Sequence, residues 1–148
     1  MKLSVASLLV AATAVLAQTS EDPYADYGVI SPAAGTTISI NTPLNVTFNP
    51  HRYFKESAKT IDIFLVSGAE PSAPKSGHGA KEVVTAMEPN IQVQWSGIVT
   101  PAYQVNIDLT QLSAPVPGER TILIKESFNG FGGVDSTNFW SQTFSVTA

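Results

Sequence analysis

From Gly28 onward the chain is a series of short segments in which apolar and polar residues alternate with a period of two, the pattern of strands with one face in a core. Leu44, Val46 and Phe48 share one face, and Asn45, Thr47 and Asn49 the other. Ile61, Ile63 and Leu65 alternate with Asp62 and Phe64, and Ile91, Val93 and Trp95 with Gln92, Gln94 and Ser96. Val105, Ile107 and Leu109 alternate with Asn106, Asp108 and Thr110, and Phe144 and Val146 with Thr143 and Ser145. A shorter run, Thr121 to Ile124, follows the Pro115–Gly118 turn, and Val29–Ser31 and Thr37–Ile40 flank Pro32–Gly35. Lys81 to Met87 fits a strand or a single helical turn.

Ten prolines and ten glycines punctuate these segments, and such spacing breaks helices. Two stretches read as long loops: Ser67–Ala80, polar with Pro and Gly, and Ser127–Asn138, Gly-rich with Phe128 and Phe131. Seven to nine short strands with no competing amphipathic helix predict an all-β fold, a β-sandwich of immunoglobulin or fibronectin type. Its core would come from two inner faces of Val, Ile, Leu, Phe and Trp, with Trp95 among them. The domain is expected over residues 28–148, after a flexible acidic lead-in at 18–27.

The first seventeen residues stand outside that pattern. Lys2 supplies a positive start, Leu8 to Leu16 an apolar stretch, and Val15-Leu16-Ala17 the compact residues of a cleavage site. This reads as a secretory signal cut between Ala17 and Gln18, and it is too short to span a bilayer. The C-terminus lacks the hydrophobic tail of a lipid-anchored protein. The expectation is a released extracellular domain. The 148-residue chain contains no cysteine, which excludes disulfides, thiolate nucleophiles and Cys-ligated metals, so packing alone must hold the fold. Its net charge is −4, and an acidic surface argues against nucleic acid and against anionic membranes.

Candidate chemistry is sparse. Asn45-Val46-Thr47 is an N-glycosylation sequon on the polar face of its strand. His51 and His78 sit in loops with no nucleophile elbow beside them, and read as solvated surface residues. Neither a His-Glu-x-x-His nor an Asp-x-Asp-x-Asp-Gly motif occurs. Secreted copper monooxygenases share the sandwich architecture but use an N-terminal histidine, where this chain would present Gln18. No metal or cofactor is expected. Asp62, Asp108, Glu119, Glu126 and Asp135 could serve a glycosidase only if two of them faced each other, and surface solubility accounts for them more simply. Among the aromatics, Phe139 and Trp140 are expected to cap the core. Phe128 and Phe131 are the candidate binding residues, able to stack on a sugar or fill a partner's pocket.

Three segments carry a family resemblance: Ile30-Ser-Pro-Ala-Ala-Gly-Thr-Thr37, Thr42-Pro-Leu-Asn-Val-Thr-Phe48 and Ile61-Asp-Ile-Phe-Leu-Val66. With the alternating strand from Tyr103, the Pro117-Gly118 turn and the run Thr121 to Glu126, they resemble the necrosis-inducing secreted effectors of fungi. That resemblance implies a small signal-bearing β-sandwich that dampens plant immunity by binding receptor kinases. The chain departs from those proteins in lacking their cysteines. Its opening is also similar to the N-terminal domain of fungal wall-biogenesis and Ser/Thr-rich GPI-anchored proteins, without their stalk. Neither resemblance supplies a catalytic residue. The expected function is a secreted, monomeric, non-catalytic, effector-like protein that binds a host or extracellular protein. The alternatives are a carbohydrate- or wall-polysaccharide-binding module and a small secreted hydrolase.

Overall fold

The computed structural model describes residues 27–50, 56–68, 80–95, 98–111 and 117–148, and at Trp95 and Ile98 the backbone alone. The expected signal segment with its Ala17–Gln18 junction, His51, His78 and the Trp95 side chain lie outside the described residues, as do most of the acidic lead-in and of the first long loop.

Nine strands form the domain: β1 Gly28–Ser31, β2 Thr37–Ser39, β3 Leu44–Asn49, β4 Ser57–Ser67, β5 Lys81–Met87, β6 Ile91–Trp95, β7 Ile98–Ile107, β8 Gly118–Asn129 and β9 Asp135–Thr147. They build two sheets, β1-β3-β7-β6 and β2-β9-β8-β4-β5. Lettered in chain order as A, A′, B, C, C′, D, E, F and G, these are the ABED and A′GFCC′ sheets of an immunoglobulin-type sandwich. All pairings are antiparallel except β2 with β9, and Lys81–Met87 is a strand rather than a helical turn.

The inner faces are those the alternation predicts. Leu44, Val46 and Phe48 meet Ile61, Ile63, Leu65, Ile122, Ile124, Phe144 and Val146 across the sandwich, with Tyr103 and Ile107 from β7. Phe48 anchors one end, its ring 5.9 Å from Tyr103 and edge-on to Trp140 at 5.5 Å. Burying each such side chain contributes roughly 1.5–3 kcal/mol. Immunoglobulin domains join strands B and F with a disulfide. Here the equivalent strands, β3 and β8, carry only apolar side chains at Leu44, Val46, Ile122 and Ile124.

The second expected loop is a correction. Residues 127–138 are mostly ladder: β8 runs to Asn129 and β9 starts at Asp135. Twelve paired positions join the two strands, from Gly118–Val146 to Asn129–Asp135. Polar serine, threonine and asparagine mask the alternation there, and cross-strand hydrogen bonding holds the segment in a sheet despite the weak strand preference of asparagine and glycine. Phe139 is a second correction. It was expected to cap the core with Trp140, but successive strand residues face opposite ways. Trp140 packs inward, and Phe139 lies on the outer face, 37% exposed.

Candidate binding site at one end of the sandwich

The β8–β9 hairpin projects a short tip, Gly130–Val134. Gly130 N–H donates to the Val134 carbonyl at 2.8 Å, and Gly133 N–H to the Gly130 carbonyl at 3.0 Å. Gly132 and Gly133 both have φ near +80°, a conformation that side chains with a Cβ resist. This folds Phe131–Gly133 into one 3₁₀ turn. Phe131 is 72% exposed and Val134 64% exposed, so two apolar side chains sit together on a backbone fixed by its own hydrogen bonds.

The structure separates Phe128 from Phe131. Phe128 belongs to β8, opposite Ala58 of β4 and Ser136 of β9, and is half-buried. It lines a polar groove of about 400 Å³ with Lys59, Thr60, Ser127, Asp135, Ser136 and Thr137. Lys59 Nζ donates to Asp135 Oδ1 at 3.0 Å across it.

Below the tip, the alternation of β8 carries Glu126 inward after Ile122 and Ile124. Its side chain is wholly buried, and Oε2 accepts the Trp140 indole N–H at 2.9 Å. The expectation that the acids serve surface solubility therefore fails for Glu126. The period-two pattern of its own strand was the signal that could have found it. Trp140 in turn fixes Gly28: a Cβ at that residue, whose φ is +82°, would lie 3.1 Å from the indole.

Asp62, Asp108 and Asp135 have structural partners. Asp62 accepts the Ala86 N–H at 2.8 Å and the Lys125 ammonium at 3.0 Å. Burial would raise its pKa, but the Ala86 N–H and the Lys125 cation outweigh burial and hold it below the usual carboxylate range. The contact fixes a bulge in β5 where Ala86 has φ +48°. Asp108 accepts the hydroxyl and N–H of Thr110 at 2.6 and 2.9 Å, which lowers its pKa. Asp135 pairs with Lys59, and Glu119 lies exposed near the start of β8. No group of three His, Cys, Asp or Glu suited to a metal ion occurs among the described residues. No helix among them is long and apolar enough to cross a membrane.

Asn45 lies on the outer face of β3, opposite Asn106 of β7. Its Nδ2 donates to Asn106 Oδ1 at 2.9 Å, and the Thr47 hydroxyl donates to Asn45 Oδ1 at 3.2 Å. Gln104 Nε2 donates to Thr47 Oγ1 at 3.4 Å. These amides and hydroxyls belong to a wider segregation that the net charge conceals. Strands β1, β3, β6 and β7 contain no Asp, Glu, Lys or Arg, whereas β4, β5, β8 and β9 carry Lys59, Asp62, Lys81, Glu82, Glu119, Arg120, Lys125, Glu126 and Asp135. One sheet is thus neutral and the other charged. Comparison with protein-family models, curated proteins and solved structures returned no match.

Proposed function

We propose that this chain is a secreted, non-catalytic, effector-like domain that binds a host protein through the β8–β9 hairpin tip. The observation that carries the reading is the joint exposure of Phe131 and Val134 on a turn held by the Gly130–Val134 and Gly130–Gly133 hydrogen bonds. An aromatic held ready at the end of a rigid hairpin loses little entropy on docking and can fill a pocket as a binding hot spot. In variable immunoglobulin domains the F–G loop, the counterpart of this tip, belongs to the antigen-binding end. That support is an analogy of fold. The secretory pattern of Met1–Ala17 supports an extracellular site of action.

A second reading rests on the groove beside the tip. Its serine, threonine, lysine and aspartate side chains around Phe128 could hydrogen-bond a wall polysaccharide while the ring stacks on a sugar. Affinity capture from host extract and retention on chitin and β-glucan decide between the two. Capture lost in Phe131→Ala/Val134→Ser and kept in Lys59→Ala/Thr60→Ala supports protein binding. Polysaccharide retention lost in Phe128→Ala and Lys59→Ala, with no protein captured, supports the second reading. Turnover of a glycan or ester panel by the purified chain overturns both.

A further inference from the structure

A two-sheet sandwich has four edge strands, and exposed edges invite pairing with other chains unless they are blunted. Three are blunted here. β1 has four residues, a register shift between Val29 and Ser31, and Pro32 directly after it. β2 has three residues. β5 carries Lys81 and Glu82, two register shifts, and Ala86 held in a left-handed conformation by Asp62. β6 is different. It pairs with β7 over five consecutive positions with no register shift. It lies inside a run from Pro89 to Ile107 without a charged residue, and no strand among the described residues pairs with its outer edge.

The sequence of β6 is Ile91-Gln92-Val93-Gln94-Trp95, which reads apolar–Gln–Val–Gln–apolar in both directions. Antiparallel pairing about a two-fold axis aligns a strand with its own reverse. An axis at Val93 sets Val93 opposite Val93 of the second copy, Gln92 opposite Gln94, and Ile91 opposite Trp95. Every position then meets its own chemical class on its own face. The backbone agrees. Gln92 lies opposite Pro101, which has no N–H to give, so Gln92 and Gln94 turn their N–H and C=O groups to the free edge. Those are the residues the two-fold pairs, giving about four backbone hydrogen bonds. At the inner end Asn90 already extends the ladder with its side chain. Its Oδ1 accepts the Gln104 N–H, and its Nδ2 donates to the Gln104 carbonyl, both at 2.8 Å. The edge therefore opens only from Ile91 onward.

We propose that two copies of this chain associate through β6, joining their neutral sheets into one eight-stranded sheet, in place of the monomer expected from the sequence. Charge favours this edge over the others. The strands of the neutral sheet bring no charged side chain to the contact, whereas those of the five-stranded sheet carry four Lys or Arg and five Asp or Glu, and charges covered by a partner must be desolvated. An isologous two-fold contact is also the commonest way a chain self-associates. The hairpin tip is not involved, so this proposal and the proposed function can fail independently.

The test is sedimentation of the secreted protein over a concentration series, combined with cross-linking. Wild type should reach twice the chain mass at high micromolar concentration. In a chain without cysteine, Val93→Cys should form a disulfide-linked dimer under mild oxidation, because facing Cα atoms in a non-hydrogen-bonded pair lie about 4.5 Å apart. Gln92→Cys, facing Gln94, should not. Gln92→Lys/Gln94→Lys sets like charges opposite each other and should leave a monomer. Gln92→Lys/Gln94→Glu sets opposite charges across the axis and should restore the dimer. Gln92 and Gln94 are exposed, so both variants should keep the circular dichroism of wild type, and its melting temperature at dilutions where wild type is also monomeric. A monomer at every concentration, equal cross-linking at positions 92 and 93, a dimer indifferent to the charge pairs, or a foreign peptide copurifying on β6 in place of a second copy would each overturn the proposal.

Discussion

The contact between Trp140 and Glu126 makes the sharpest stability prediction. Trp140→Phe keeps a ring edge-on to Phe48 but removes the N–H that reaches Glu126 Oε2 at 2.9 Å. Glu126 is fully buried, so water cannot replace that donor. Losing one hydrogen bond to a buried acceptor costs about 1–3 kcal/mol. The smaller ring leaves space beside Phe48, which adds about 1 kcal/mol. The expected loss is about 2–4 kcal/mol, a large part of the roughly 5–15 kcal/mol that holds an ordinary domain together. Urea unfolding followed by far-ultraviolet circular dichroism measures it. A double-mutant cycle with Glu126→Leu then isolates the pair, because effects on other neighbours of Glu126 cancel to first order. The coupling should be about 1–3 kcal/mol, with the double variant less damaged than the two single losses added together. Additive losses, with a coupling below about 0.5 kcal/mol, would show that the indole serves only as packing.

Four further outcomes follow from the same geometry. Phe131→Ala/Val134→Ser should change stability by less than about 0.5 kcal/mol, because both side chains are exposed, while abolishing capture of the partner in the pull-down. Gly28→Ala should destabilise by about 1–3 kcal/mol in the same urea assay, since its φ is +82° and the new Cβ would press on Trp140 at 3.1 Å. Asp62 has its folded pKa below the unfolded value. Its contribution is therefore complete above the unfolded pKa of about 3.9 and is lost as pH falls through the lower folded value. Stability measured from pH 6 downward should fall less steeply in Asp62→Asn than in wild type. When the chain is secreted from a eukaryotic host, Asn45→Gln and Thr47→Ala should each remove a deglycosylation-sensitive mass that Thr47→Ser retains.

The sandwich itself was legible because its core strands alternate cleanly. Leu44-Val46-Phe48 and Ile61-Ile63-Leu65 each set an unbroken apolar series on one face, and all six residues lie in the core. The hairpin of β8 and β9 was not legible beyond Ile124. Its outer half is written in Ser, Thr, Asn and Gly, whose strand character comes from the partner strand. The same limit hid the difference between Phe128 and Phe131. Three positions apart, they look equivalent in sequence, yet one is paired within a ladder and the other stands on a glycine turn.

The sequence by itself determined the fold class, the cysteine-free core and the location of the one sequon, because each depends on residue type and on a period of two. Tertiary structure decided which residues meet. It placed Glu126 under Trp140, turned Phe139 outward, gathered the strand charges on one sheet and gave β6 an outer edge that no strand among the described residues pairs. Those features are set by strand order and register, which pair residues far apart in the chain. The neutral runs from Tyr27 to Pro50 and from Pro89 to Ile107 can be read in the sequence. Only the pairing of β3 with β7 makes a single uncharged surface of them.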